Sequence, residues 1–563
     1  MKSLARLAAN GGRRSGLLSS CAVTNGSSAS LLSASKNFHT SIKSQARWSV
    51  EREPETLKQL PDPTKIIDEK LIHQMMEETK EKAKDHEHVR QILKRARDQA
   101  LLKSPLLRNK KNGGEVESQS CETIPKDEYI QGLSLEDTAT LLNIPEEETD
   151  ILNSLYTTAF YIKELIYGNR IVLFAPLYTS NYCVGSCLYC GYRGSNKEMP
   201  RSALSDEEVI REVEALQKQG HKRILMLCGE SPKYTFEDFM RQLQVAADVK
   251  TEPHGDVRRI NVEIPQLSVS DFRRLKATNK VGTYILFQET YHRQTHKEMH
   301  PFGTKGQYYD RLQTMDKAFV TGLDDVGIGA LFGLYDYRFE VLAMLQHANH
   351  LSDVWNAGPH TISVPRLKPA SGSEVSVHVP NLVSDAQFKK LVAVLRCSVP
   401  YTGMILSTRE NPDMRRELLS LGISQMSAGS NTAVGGYEKK EDERDDYSMG
   451  QFSLGDHRNT GEVIRELLET GYMPSFCTAC YRMNRTGEKF MKIAKKGDIQ
   501  NMCHPNSIMT LAEYLHDYAD EKTQTVGWNR IEEEQKNIPS EAKRKSLKKN
   551  LERIAEGVRD IYY

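Results

Sequence analysis

Between residues 170 and 427, short β-branched and apolar runs alternate with helical stretches, and this alternation limits the fold more than any other feature of the chain. Eight runs recur: Arg170-Ile-Val-Leu-Phe-Ala, Arg223-Ile-Leu-Met-Leu-Cys, Arg259-Ile-Asn-Val-Glu-Ile, Thr283-Tyr-Ile-Leu-Phe, Val326-Gly-Ile-Gly-Ala-Leu-Phe, Thr361-Ile-Ser-Val-Pro, Met404-Ile-Leu-Ser and Ile423-Ser-Gln-Met-Ser. Stretches such as 206–219 and 337–351 read as helices between them. Parallel strands need long, usually helical, crossovers. Eight strand–helix units therefore predict an α/β fold, a parallel (β/α)8 barrel, with an open doubly wound sheet as the structural alternative.

The flanks divide differently. Residues 51–165 read as a helical preface: 65–100 is charged and rich in helix formers, Ser134 is a helix cap, and a helix runs from Thr149 toward Gly168. Asn109-Lys-Lys-Asn-Gly-Gly-Glu is a loop insertion. The barrel is assigned to 166–455 and a mostly helical C-terminal domain to 456–563. Residues 1–50 contain no acid, several Lys and Arg, and many serines. That composition predicts a transit peptide for a mitochondrion or hydrogenosome-like organelle, a chloroplast being the poorer match.

In a (β/α)8 barrel, function gathers just past the C-terminal strand ends. The unusual residues fall there. Gly229 and Glu230 follow the second run, Glu263 ends the third, and Gln288 and Glu289 follow the fourth. Arg366 and Lys368 follow the sixth, Arg409 and Glu410 the seventh, and Ser427-Ala-Gly-Ser430 closes the eighth. The first run leads into Cys183-Val-Gly-Ser-Cys187-Leu-Tyr-Cys190. Three thiolates on one tight loop can hold three irons of a cubane and leave the fourth iron open for chemistry. Zinc knuckles usually have four ligands, and no fourth Cys or His lies on this loop. A second set, Cys477, Cys480 and Cys503, lies in the C-terminal region. It too offers three thiolates, although His504 leaves a Cys3His zinc site open as an alternative.

Ten cysteines over 563 residues form no disulfide framework; six of them make the two ligand-like sets. A net charge of +1 gives no pointer to nucleic acid or to a membrane surface, and no apolar run is long enough to span a bilayer.

The Cys-x3-Cys-x2-Cys spacing, with Tyr189 before the last cysteine, resembles the signature of the radical S-adenosylmethionine (SAM) superfamily. Pro176-Leu-Tyr-Thr-Ser-Asn-Tyr-Cys183, Cys190-Gly-Tyr-Arg193, Phe287-Gln-Glu-Thr-Tyr291 and Gln451-Phe-x-x-x-Asp456-x-Arg458 are similar to its aromatic amino-acid lyase branch. That branch contains thiazole-forming tyrosine lyases and [FeFe]-hydrogenase maturases. The Cys477, Cys480 and Cys503 set resembles the maturases. The resemblance covers residues from about 130 to 520.

It implies a TIM-type radical SAM barrel with two [4Fe-4S] clusters, one binding SAM and one auxiliary. The implied reaction cleaves L-tyrosine to p-cresol and dehydroglycine, the latter becoming carbon monoxide and cyanide for the hydrogenase cofactor. A low-potential electron donor and other hydrogenase maturation proteins are the implied partners. Tyr189, Gly229, Glu230 and Glu263 are expected around SAM. Arg409 is expected on the tyrosine carboxylate, whose shape matches a guanidinium fork. Ser427, Ser430, Gln288 and Glu289 are expected to line the site. The resemblance also implies an extra iron with a non-cysteine ligand, for which His350, with His347 one turn before it, is the candidate. A thiamine-type 2-iminoacetate synthase and a non-catalytic iron–sulfur scaffold are the competing readings.

Overall fold

The computed structural model describes residues 48–103, 130–439 and 449–563. The leader 1–47 and the Asn109 insertion lie outside them. Residues Trp48–Tyr563 form one compact unit, so preface, barrel and C-terminal region share a single body.

Eight parallel strands close the barrel: β1 (Arg170–Ser180), β2 (Arg223–Cys228), β3 (Arg259–Glu263), β4 (Val281–Ile285), β5 (Val326–Gly329), β6 (Thr361–Ser363), β7 (Gly403–Leu406) and β8 (Gln425–Ser427). Closure comes from β8 beside β1, with Val172 opposite Gln425 and Phe174 opposite Ser427. Each of the eight runs supplies one strand. The open-sheet alternative is thereby excluded.

Period-two alternation sorts the strand residues into two apolar groups. Ile171, Leu173, Ala175, Leu177, Ile224, Met226, Ile260, Val262, Ile328, Ile362 and Met404 join the outer core beneath the helices. Phe174, Tyr178, Leu225, Leu227, Ile285 and Ile405 form a separate inner group in the lumen.

The preface contributes α1 (Glu69–Glu78), α2 (His86–Lys103), α3 (Leu135–Leu142) and α4 (Thr149–Tyr167). Ser134 caps α3 by accepting from the Asp137 N–H at 3.0 Å. The crossover helices include α5 (Asp206–Lys218), α6 (Phe236–Asp248), α7 (Val269–Ala277), α8 (Tyr337–Trp355), α9 (Asp385–Ser398) and α10 (Pro412–Leu419). Reciprocal capping boxes start α5 at Ser205/Glu208, α6 at Thr235/Asp238 and α9 at Ser384/Gln387. α4 packs between α2 and α9, which fastens the preface to the barrel wall.

The C-terminal region begins with α11 (Thr460–Glu469) and then re-enters the sheet. A ninth strand, β9 (Met473–Ser475), pairs in parallel with the first three residues of β1, Arg170 opposite Met473 and Val172 opposite Ser475. Val172 also pairs with Gln425, so β9 lies on the side of β1 away from β8. Cys477 is thus delivered to the N-terminal end of the barrel. Helices α12 (Ile499–Asp517), α13 (Glu521–Lys536) and α14 (Glu541–Ala555) follow. At the end of the tail, Asp560 pairs with Arg482 and Arg258, and the Tyr563 N–H donates to Asn506 at 2.9 Å. No helix among the described residues is long and apolar enough to cross a membrane.

Candidate functional site

Three chambers follow one another along the barrel. The upper one lies under the cysteine loop, encloses about 750 Å³, and is lined by Cys183, Cys187, Cys190, Gly229, Glu230 and Glu263, among others. Backbone bonds fix the loop: Val184 N–H to Glu230 O at 2.8 Å, Ser186 N–H to Phe302 O at 3.0 Å, and Leu188 N–H to Met299 O at 3.0 Å. Gly229 is required by this approach, because a Cβ there would lie 2.4 Å from Tyr182 O. Burial pushes the Cys183 thiol up to about 11 and the Cys187 thiol to about 12. Buried thiols of that kind become thiolates when a metal replaces the proton.

Polar groups of both signs stand on the same wall. Glu230 is half-buried, and desolvation raises its pKa; it accepts a hydrogen bond from the Thr304 hydroxyl. The Glu263 carboxyl is pushed up to about 7, by burial first and by Glu289 second. Lys305 and Arg311 supply positive charge. Three thiols, two carboxylates and two cations suit a cubane carrying a zwitterionic sulfonium ligand. Tyr189 stands behind this wall, its hydroxyl 2.7 Å from His300 Nε2.

The middle chamber encloses about 680 Å³ and shares Tyr178, Leu227, Glu263 and Gln451 with the upper one. Its walls are mostly apolar and aromatic: Phe174, Leu225, Ile285, Phe287, Ile405 and Phe452. Arg409 enters from the end of β7, and its guanidinium lies flat on Phe452, 3.3 Å from the ring centroid. Among the described residues Arg409 makes no hydrogen bond, and burial lowers its pKa. A desolvated guanidinium with an unused fork has the shape and charge to receive a carboxylate. Ser427 lines this chamber, its Oγ accepting from the Thr408 N–H at 3.1 Å. Ser407 lines it as well, with a buried hydroxyl that has no partner.

Three residues expected to line the site do not. The Gln288 amide turns away to Tyr308 O at 3.3 Å. Glu289 stands one layer back in an ion pair with Lys305, which overcomes its burial and holds its pKa below normal. Ser430 is buried outside the chamber lining. Gln288 alternates away from the inward Phe287 and Ser430 away from Ser427, whereas Glu289 leaves the strand conformation at φ 70°.

The lower chamber, about 520 Å³, lies at the N-terminal end of the strands and is lined by Cys477, Cys480 and Cys503 together with Arg170, Arg223, Arg259 and His360. Cys480 beside it, with help from Arg170 and Arg485, holds the Cys503 thiol below its ordinary value. Burial beside Arg259 lowers Arg223 to about 9. The Nε atoms of Arg170 and Arg223 are buried without partners. Orphaned donors around thiols fit a negatively charged metal–sulfide group. Among the described residues no three His, Cys, Asp or Glu side chains are grouped to hold a single ion.

None of the three imidazoles raised as metal ligands lines either cysteine chamber. His350 sits on the flank of α8, its Nε2 3.0 Å from Asp316, which also accepts from Trp355. His347 bonds Tyr291 OH at 3.0 Å. His504 lines a separate surface hollow and pairs with Glu534 at 3.3 Å, because adjacent helical residues point about 100° apart. His360 is the imidazole that lines the lower chamber, and burial lowers it to about 4, leaving it neutral. The sequence did carry a signal for this chamber: three of the eight runs open on Arg.

The Radical SAM superfamily model matches residues 177–347, and the Biotin and Thiamin Synthesis associated domain matches 363–473. A crystal structure of HydG, a maturase of the [FeFe]-hydrogenase, is 46% identical with a TM-score of 0.78, covering 88% of this chain and 100% of that one. HydG from Carboxydothermus hydrogenoformans is 37% identical with a TM-score of 0.64, covering 82% and 99%. The 2-iminoacetate synthase of Escherichia coli is 28% identical over 359 residues, 61% of this chain and 91% of that protein.

Proposed function

Because the chain belongs to the radical SAM superfamily, in the aromatic amino-acid lyase branch close to HydG, we propose that it is a tyrosine lyase of [FeFe]-hydrogenase maturation. L-Tyrosine is cleaved to p-cresol and dehydroglycine, and the latter is converted to carbon monoxide and cyanide. One observation carries this reading: two three-cysteine chambers stand at opposite ends of one barrel, with an unengaged Arg409 in the chamber between them.

When bound under Cys183, Cys187 and Cys190, a [4Fe-4S] cluster with SAM supplies a 5′-deoxyadenosyl radical to the substrate. The chain's own residues do the rest. Glu230, Glu263 and the Gly229 backbone receive the polar groups of SAM. Arg409, supported by Ser427 and the free Ser407 hydroxyl, holds the substrate carboxylate, and the aromatic walls hold the ring and exclude water. Cys477, Cys480 and Cys503 hold the auxiliary cluster, with His360 in place of His350 as candidate ligand to the extra iron. Passage of the small fragment is supported by the strands themselves. Phe174 and Val172, Leu225 and Arg223, Ile405 and Gly403, and Ser427 and Gln425 are successive inward residues lining the middle and lower chambers, about 7 Å apart. The acid-free leader supports delivery to a mitochondrion or hydrogenosome-like organelle.

Anaerobic reconstitution with iron, sulfide, SAM, a reductant and tyrosine tests this reading. Changing Cys477 and Cys480 together to Ala is expected to spare p-cresol and abolish carbon monoxide. Loss of both products contradicts the division of labour. The unaltered protein yielding p-cresol without cyanide favours a 2-iminoacetate synthase, and no deoxyadenosine favours a scaffold.

A further inference from the structure

Gln451 has no part in the roles assigned above, yet it lines both the upper and the middle chamber. Its Nε2 lies 3.7 Å from Cys190 Sγ, and its Oε1 accepts a 2.8 Å hydrogen bond from Tyr178 OH. The backbone on either side is fixed as well. Gln451 N–H donates to Thr432 O at 3.1 Å, and Gly191 N–H donates to Gln451 O at 3.1 Å. Gly191 directly follows Cys190, so one residue is tied to the cysteine loop through both its backbone and its side chain.

The amide has one sensible orientation. A flipped amide would aim oxygen lone pairs at a sulfur that becomes a thiolate when ligated. The Tyr178 phenol, a donor at any ordinary pH, fits Oε1. The N–H therefore faces sulfur, beside the apolar group of Phe174, Tyr178, Leu225 and Leu227, where a hydrogen bond is stronger than in water. Reducing a cluster adds negative charge that spreads onto its thiolate sulfurs, and a donor on such a sulfur stabilises the reduced form more than the oxidised one.

We propose that Gln451 is a positioning residue that raises the reduction potential of the iron–sulfur cluster held by Cys183, Cys187 and Cys190, by donating an N–H···S hydrogen bond to Cys190 from an amide anchored by Tyr178. This rests on the assignment of a cluster to that cysteine set.

The test is a potentiometric titration of the reconstituted full chain, followed by electron paramagnetic resonance of the signal that responds to SAM. That choice isolates the upper cluster from the lower one. Gln451→Leu removes the donor, and Gln451→Glu turns a carboxylate toward the sulfur. Both are expected to lower the midpoint, the ratio of reduced to oxidised cluster at a fixed potential falling about tenfold, which is ~59 mV for one electron. Tyr178→Phe keeps the donor and loosens it, so a smaller shift of the same sign is expected. A merely structural role lowers iron content and leaves the midpoint of the loaded fraction unmoved; that result, or an upward shift, overturns the proposal. Should both Gln451 variants fail to load iron, Tyr178→Phe decides by the same criterion. Absence of any SAM-responsive signal in the unaltered protein overturns the cluster assignment itself, whereas equal midpoints overturn this proposal alone.

Discussion

Arg409 owes its character to what surrounds it: an aromatic ring beneath, a mostly apolar chamber ahead, and no hydrogen bond among the described residues. Replacing it with Lys keeps the charge and loses the fork. Charged hydrogen bonds are worth about 1.5–3 kcal/mol, so KM for tyrosine is expected to rise at least ~10-fold with SAM binding unchanged, as read by p-cresol kinetics and calorimetry. Glu263 gives a pH prediction. Its pKa is raised from the usual 4.5 to about 7, so the folded state holds more protons between those values. Its contribution to stability is therefore present below 4.5 and is lost as pH rises through about 7. Its use as an acceptor for SAM has the opposite slope: SAM affinity is expected to increase from pH 6 to pH 8, and Glu263→Gln is expected to flatten that rise in isothermal titration. At this scale the sequence was partly legible. Arg409 and Glu263 could be found because they end strands. Gln288 and Glu289 lie just past a strand end too, but that fixes position and not the direction a side chain takes.

β9 is three residues long, and the lower chamber depends on it. Its run, Met473-Pro-Ser475, is too short and too weakly apolar to announce a strand, and it pairs only because the base of β1 has a free edge. The C-terminal tail acts in the same region. Asp560, in a left-handed turn, binds Arg482 and Arg258 and donates its N–H to Glu513 at 2.7 Å, while Arg485 reaches Tyr563 O at 2.8 Å. Arg482 and Arg485 both follow Cys480 closely, and the Arg485 N–H donates to Cys480 O at 2.7 Å. Deleting residues 557–563 is expected to lower iron retention at the second cysteine set and to leave the SAM-responsive cluster loaded, measured by iron content and paramagnetic resonance. The capped helices α3, α5, α6 and α9 behave differently. Their start signals lie within four residues, so they form where local pattern places them.

Across the whole molecule, the two cysteine sets stand at opposite ends of one barrel. Gly403 lines the lower chamber, where a Cβ would meet the Gln425 amide at 2.8 Å. Gly403→Val narrows the lumen at an overpacking cost of about 1–3 kcal/mol. It is expected to retain p-cresol formation while the ratio of carbon monoxide to p-cresol falls, measured by product quantification. The sequence by itself determined the barrel, the two cysteine sets and the ring of residues past the strand ends, because strand periodicity, helix capping and ligand spacing are local properties. Only the tertiary structure decided that the second set lies at the opposite end of the same barrel, that His360 and three strand-opening arginines line its chamber in place of His350, and that Gln451 reaches a cysteine 261 positions away. Those contacts are set by chain closure between distant segments, for which no local pattern exists.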